Sequence, residues 1–173
     1  MLAANGAEIE LVARVLAGDE ESFAELFRAH HQQVFRVARA ITGSHETSLD
    51  VVQDVFVKVH QRLGTWRRRS SFRTWLLRIA IRCAVDSRRR ARPFQPIQEC
   101  HATVDPRPAI DRAILVSRVH ELTSAISGRP GIVLRLRLFA GLSNKEIAEG
   151  LGLSEANVRM QVSKAVRQIR EKL

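Results

Sequence analysis

Four prolines, Pro93, Pro96, Pro106 and Pro108, fall within 16 residues near the middle of a 173-residue chain that elsewhere repeats its apolar residues every three to four positions. Proline lacks the amide hydrogen that a helix needs and clashes with the preceding turn, so no helix runs through this stretch. Alternating apolar and polar runs bounded by turn residues are scarce, which leaves little basis for a sheet. The expected fold is all-α: two small helical domains at 1–92 and 109–173, joined by a proline-containing linker at 93–108. Domains of this size bury only about 60% of the surface their unfolded chains expose, so an assembly partner would help each of them.

Helix boundaries can be read from local chemistry. A first helix is expected from about Ile9 to Ala17, stopping at Gly18. Asp19 then caps a second, with Glu20 and Glu21 at the positive end of its dipole. Phe23, Leu26, Phe27, Val34, Phe35 and Ala38 form its expected buried stripe, as far as Gly43. Ser44 restarts the chain, and Leu49, Val52, Val55, Phe56 and Val59 give the next stripe, ending at Leu63. A loop at 64–71 leads to a helix from Phe72 to Arg90 with Trp75, Leu76, Ile79 and Val85 inward. In the second domain the helical pattern is interrupted by Ser127-Gly128-Arg129-Pro130-Gly131 and by Gly141.

Residues 143–170 have the layout of a helix-turn-helix. Ser143 and Glu146 are spaced as a capping box. Ile147, Ala148 and Leu151 face inward, Gly150 and Gly152 bracket the turn, and Ser154 caps the second helix. Val158, Val162, Ala165, Val166 and Ile169 make the inner face of that helix. Ser154, Glu155, Asn157, Arg159, Met160, Gln161, Ser163, Lys164 and Arg167 remain for the outside. Such a face suits the major groove, where Arg, Asn and Gln can pair with base edges. A merely amphipathic hairpin shares the periodicity, but not the small-residue turn, the two caps and the basic outer face together.

The net charge of +10 is unevenly spread. Residues 1–61 carry a net −4, and residues 62–92 hold eleven arginines against the single acid Asp86. A further net +3 lies in 154–173. Cations clustered on an otherwise balanced chain are the footprint of a polyanion, with nucleic acid the first candidate and an anionic membrane the second. In the arginine-rich segment, Arg62, Arg67, Arg68, Arg69, Arg73, Arg78, Arg82, Arg88 to Arg90 and Arg92 interleave with Trp66, Phe72 and Trp75. Cations mixed with aromatic platforms can hold unstacked bases. Phe72 and Trp75 also fit a core stripe, whereas Trp66 falls in the loop.

The order and spacing of these features resemble the extracytoplasmic-function sigma factors of bacterial RNA polymerase. The stretches that carry the resemblance are Gly18 to Phe23, Asp50 to Phe56, Ser71 to Ala80, Gly141 to Ser143, Glu146 to Ala148 and Leu151 to Ser154. The resemblance implies that Asp50, Gln53, Asp54 and Phe56 grip core polymerase. It implies that Trp66, Arg67, Arg68, Arg69, Arg73, Arg78 and Arg82 meet the melted −10 element, and that the last helix reads the −35 element. Arg82 stands where the family often has asparagine, and Gln161 and Lys164 where arginines are common, so base preference at both elements is expected to be particular to this chain. Core RNA polymerase, promoter DNA and an anti-sigma factor are the implied partners. The alternative is a polymerase-independent helix-turn-helix regulator acting as a dimer on palindromic operators.

Enzyme signatures are missing: no phosphate-binding glycine loop, no His-Glu-x-x-His and no glycine-flanked serine. The chain is expected not to be an enzyme and to need no cofactor or metal. Adjacent His30 and His31 point to different faces of a helix. Cys100-His101 could contribute to a zinc or thiol site only with partners from elsewhere, and Cys83 offers no second spaced pair. Without a signal-peptide pattern or a membrane-length apolar run, the chain is expected to stay in the cytoplasm.

Overall fold

A computed structural model describes residues 2–90, 119 and 121–171, and all of its regular structure is helical. The elements are α1 (Leu2–Leu16), α2 (Glu20–Thr42), α3 (His45–Arg62), α4 (Phe72–Arg90), α5 (Gly128–Leu138), α6 (Asn144–Leu151) and α7 (Glu155–Arg170), with a short 3-10 turn at Leu63–Thr65. A helical turn at 121–124 precedes α5. The proline-rich linker, Cys100 and His101 lie outside the described residues.

Four of the helix starts have a side-chain cap. Asp19 accepts from the Ser22 amide at 3.2 Å and the Ser22 hydroxyl at 2.6 Å, while Arg14 donates to it at 2.8 Å. The Ser22 bonds, followed by the Arg14 guanidinium, hold the Asp19 carboxyl down at about 2. Ser44, Ser143 and Ser154 cap α3, α6 and α7 through the amides of Thr47, Glu146 and Asn157. Two boundaries differ from the sequence reading. α1 begins at Leu2 rather than near Ile9. The interruption expected at 127–131 falls at 125–127, between the helical turn at 121–124 and α5, so Gly128 to Gly131 already belong to a helix: Ser127 is the N-cap position and Pro130 sits in the first turn of α5. Proline is tolerated there because the first amides of a helix have no intrahelical partner anyway. Gly131 is needed at that turn, since a side chain would strike the Ile126 carbonyl.

α2, α3 and α4 pack on one another and α1 lies across α2. Leu26, Val34, Val37, Ile41, Val55, Val59, Phe72, Leu76 and Ile81 are essentially without solvent contact. At roughly 25 cal/mol per Å² of apolar surface, each such side chain contributes about 1.5–3 kcal/mol. α5, α6 and α7 pack together in turn, and α6 also lies on α4 while α5 lies on α2. The hydrophobic core is therefore continuous from Val12 through Ile81 to Val133, Ile147 and Val158. Three side chains placed inward by periodicity face solvent instead: Phe27 (37% exposed), Leu49 (49%) and Val166 (38%). A period of three to four residues admits a stripe wider than the face a neighbouring helix covers.

The C-terminal end of α2 ties the halves together. The last carbonyls of a helix lack intrahelical partners. Here Arg39 O accepts from the Gly43 amide, Ile41 O from Arg88 Nη1 at 3.0 Å, and Ala40 O from Arg135 Nε at 2.8 Å. Two guanidinium groups at the negative end of a helix dipole are favourably placed.

Candidate nucleic-acid interface

The helix-turn-helix is formed by α6, Gly152 and α7. Ser143 Oγ accepts from the Glu146 amide at 3.2 Å, and Glu146 Oε2 accepts from the Ser143 amide at 2.8 Å. This is the reciprocal capping box expected from the sequence. Gly152 ends α6 in the left-handed region (φ 67°), its amide bonded to Ala148 O. Gly150 serves another purpose. It is buried within α6, and a Cβ there would collide with Cδ1 of Ile81 on α4.

On α7, Val158 and Ala165 are buried, with Val162 and Ile169 packed beside them. Ser154, Glu155, Arg159, Met160, Ser163, Lys164 and Arg167 are exposed, while Asn157 and Gln161 are half-buried and bonded to each other at 3.1 Å. The outer face thus presents three cations, the Glu155 carboxylate, two hydroxyls and the apolar Met160, a chemistry that fits base edges and phosphates in a major groove.

The second basic cluster sits on the loop after α3 and on α4. Arg67, Arg68 and Arg69 are all exposed. Arg68 has φ 57°, a conformation costing on the order of 1 kcal/mol for a non-glycine residue. Trp66 does not project from this loop. It is buried, edge-on to Phe72 at 5.6 Å, and its Nε1 donates to Ser70 O at 3.2 Å, so it pins the loop from beneath. An indole carries enough apolar area to prefer the core whenever its N–H finds an acceptor there. Phe72 is fully buried and Trp75 half-buried, in keeping with their place on a core stripe. Arg82 is exposed, whereas Arg73 and Arg78 are half-buried and ion-paired: Arg73 with Glu146, and Arg78 with Glu149 at 2.6 Å.

On α3, Asp50, Gln53 and Asp54 share an exposed face with Leu49 and Val57. Phe56, expected among them, is 5% exposed and packs on Phe27 at 4.6 Å. Its ring thus faces the interior of the fold, beside the exposed row of Asp50, Gln53 and Asp54 rather than within it. His30 and His31 diverge as expected: His30 faces Glu8 at 3.2 Å and Phe72, and His31 stacks on Phe27. Cys83 is buried on α4 and accepts from Lys58 Nζ at 3.2 Å.

Three contributors escape a reading of the sequence: Gln33, Arg135 and Glu149. Gln33 Nε2 donates to Ala140 O at 2.8 Å, and Arg135, 4% exposed, also donates from Nη1 to Thr123 O at 2.9 Å. Burial, then the nearby Arg88 charge, lowers Arg135 to about 10. An arginine inside the apolar run Ile132 to Leu136 is a signal of a buried cation; Glu149 carries no such signal.

A helical fold with a basic cluster on one part and a helix-turn-helix on the other defines a nucleic-acid-binding protein with two separate basic surfaces. Residues 26–94 match Sigma-70 region 2, and residues 116–169 match Sigma-70, region 4. The chain is 30% identical over 160 residues to the ECF RNA polymerase sigma factor SigM of Mycobacterium tuberculosis, covering 91% of this chain and 80% of that one. It is 29% identical to the RNA polymerase sigma-H factor of Pseudomonas aeruginosa, covering 90% and 88% of the two chains. The fold is similar to that of CnrH, solved in complex with the cytosolic domain of CnrY, with a TM-score of 0.68 at 24% identity over 93% of each chain. The chain belongs to the extracytoplasmic-function sigma factors. It binds core RNA polymerase and directs promoter-specific transcription initiation through −10 and −35 elements. Among the described residues, no helix is long and apolar enough to cross a membrane.

Proposed function

We propose a division of this activity among particular residues. Residues 1–92 form the polymerase-binding and −10-recognising domain, 93–108 the linker, and 109–173 the −35-reading domain. The exposed row Asp50, Gln53 and Asp54 on α3 meets core polymerase, with Leu49 and Val57 supplying apolar contact beside the carboxylates. Arg67, Arg68, Arg69, Arg73, Arg78 and Arg82 hold the phosphates and bases of the opened −10 strand. The outer face of α7, from Ser154 to Arg167, enters the −35 major groove.

The observation that carries this reading is the outer face of α7: Arg159, Ser163, Lys164 and Arg167 are exposed behind a helix-turn-helix whose two helices are both capped. The protein has no chemical step of its own in this scheme, because nucleotide transfer belongs to the polymerase, and it works in the cytoplasm alongside that enzyme. We further propose a protein antagonist, by likeness to CnrH, which was solved with the cytosolic domain of CnrY.

The test is promoter binding with and without core polymerase, using the region upstream of the protein's own gene as probe. The expected result is a salt-sensitive, weak interaction for the protein alone and a defined footprint over −35 and −10 with core present. Tight, specific footprinting of intact duplex by the protein alone contradicts the reading, because the −10 surface has no unpaired strand to hold before the polymerase opens the DNA.

A further inference from the structure

Met160 holds an unusual place on the second helix of the helix-turn-helix. It lies in the second turn of α7 and is 45% exposed. At 3.6 residues per turn it stands roughly 140–180° around the helix from Val158, Val162, Ala165 and Ile169, the residues that seat α7 on the rest of the fold. Met160 is therefore at the crest of the outer face. Val166, the other exposed large apolar side chain of α7, lies on the flank, roughly 120° from Met160. Exposed Ala156 precedes Met160 by one turn on the same side, so the crest carries an apolar strip. Arg159, Ser163, Lys164 and Arg167 are exposed around it.

The neighbouring amides are placed differently. Reading an adenine takes the N–H and the C=O of one Asn or Gln side chain together. Gln161 Nε2 donates to Asn157 Oδ1 at 3.1 Å and both residues are half-buried, so each amide has committed one of its two groups. The residue types best suited to adenine are tied to each other rather than turned to the groove.

A lone apolar side chain on a protein surface needs no explanation. At the crest of a groove-reading helix it does, because entering the groove strips water from the side chain and from the base edge it meets. A thioether has no donor and is only a weak acceptor, so Met160 cannot offset that loss by hydrogen bonding. It gains only against an apolar partner, and the 5-methyl group of thymine is the one apolar group that the bases present in the major groove. Position agrees with chemistry, since the N-terminal residues of a recognition helix are the ones that meet base edges.

We propose that Met160 is a specificity-determining residue: with the Ala156 methyl beside it, it reads the 5-methyl group of a thymine in the −35 element, while the surrounding cations hold phosphates and polar base edges. This rests on the reading of the α7 outer face as the −35-reading surface.

The test uses holoenzyme assembled from bacterial core polymerase and the full chain, as wild type or Met160→Ala. Each selects bound duplexes from a synthetic, unmethylated library randomised over the promoter region, in which thymine is the only base with a 5-methyl group. Met160→Ala should fold normally, because the side chain is exposed and alanine is the best helix former. The wild type is expected to select a T·A pair at one −35 position, and Met160→Ala to lose that preference while keeping the others. Uracil in place of that thymine removes the methyl and keeps the O4 acceptor and the base pairing. It should weaken wild-type binding about 4-fold, the value of burying one methyl-sized group, and leave Met160→Ala unaffected. Unchanged preferences in Met160→Ala overturn the proposal, as does a uracil effect equal in both proteins. Selection with Arg159→Ala/Lys164→Ala separates this claim from the one beneath it. If that variant keeps every −35 preference, or the wild type shows none, the α7 reading fails and the thymine contact with it. If that variant loses preferences and Met160→Ala loses none, only the thymine contact fails.

Discussion

Arg135 Nε on α5 donates 2.8 Å to the carbonyl oxygen of Ala40, 95 residues earlier, in the last turn of α2. The same guanidinium holds Thr123 O. Arg135→Leu keeps an apolar stem but removes the guanidinium bonds to Ala40 O and Thr123 O. The expected cost is about 2 kcal/mol, within the usual range for buried polar groups stripped of a partner. Denaturant unfolding checks this, and a midpoint that is unchanged or higher contradicts it.

Trp66→Ala is expected to act as a core deletion rather than only as removal of a base-stacking platform. The indole is buried against Phe72 and bonded to Ser70 O, so the cost should be about 3 kcal/mol. A thermal melt indistinguishable from wild type would return Trp66 to the surface.

Ser143→Ala and Ser154→Ala each remove a side-chain cap from the helix-turn-helix, and each should cost about 1 kcal/mol. Ser143→Ala should cost more, because Glu146 then has one fewer hydrogen bond to orient it toward Arg73. Equal destabilisation in the two variants, measured by chemical denaturation, would mean that the capping box and the α4 ion pair are independent.

Stability should fall as the solution becomes mildly acidic. Burial, then the Arg73 charge, lowers the His30 pKa below its ordinary value of about 6.5. The unfolded chain therefore takes up this proton more readily than the folded one. The stabilising contribution is full above about 6.5 and is lost as pH drops through the folded-state value. Neighbouring Glu8, raised by burial, has the opposite sign and acts as pH rises through its own folded value. His30→Gln should flatten the fall in melting temperature as pH drops below about 6.5, where the histidine of the unfolded chain takes up its proton before that of the folded one. A slope as steep as wild type would show that His30 is not its source.

Much of the fold is legible in the sequence because its signals are local. Asp19, Ser44, Ser143 and Ser154 cap helices by bonding amides three residues away, and the Phe72–Arg90 helix follows directly from its periodicity. Periodicity turns Phe27, Leu49 and Val166 inward although they face solvent, because it fixes a face but not its width. Most exposed polar residues of α7 are equally readable, although Asn157 and Gln161, expected among them, are half-buried. The α4–α6 seam is not. Arg78 and Glu149 are 71 residues apart, and an ion pair at that separation leaves no trace in local patterning. By local pattern Gly150 belongs to the turn, yet its small size answers to Ile81 on another helix.

The most direct test of the central claim is run-off transcription with bacterial core RNA polymerase on the region upstream of the protein's own gene, comparing wild type with the Arg159→Ala/Lys164→Ala double variant. A defined transcript should appear only when the protein is present. The double variant should reduce it, with −35 recognition weakened by about 1–3 kcal/mol for each side chain that no longer bonds a base edge. A transcript of equal strength and promoter selectivity from the double variant would contradict the assignment of the α7 outer face. A core polymerase that neither binds the protein nor starts at any defined promoter with it would contradict the account as a whole.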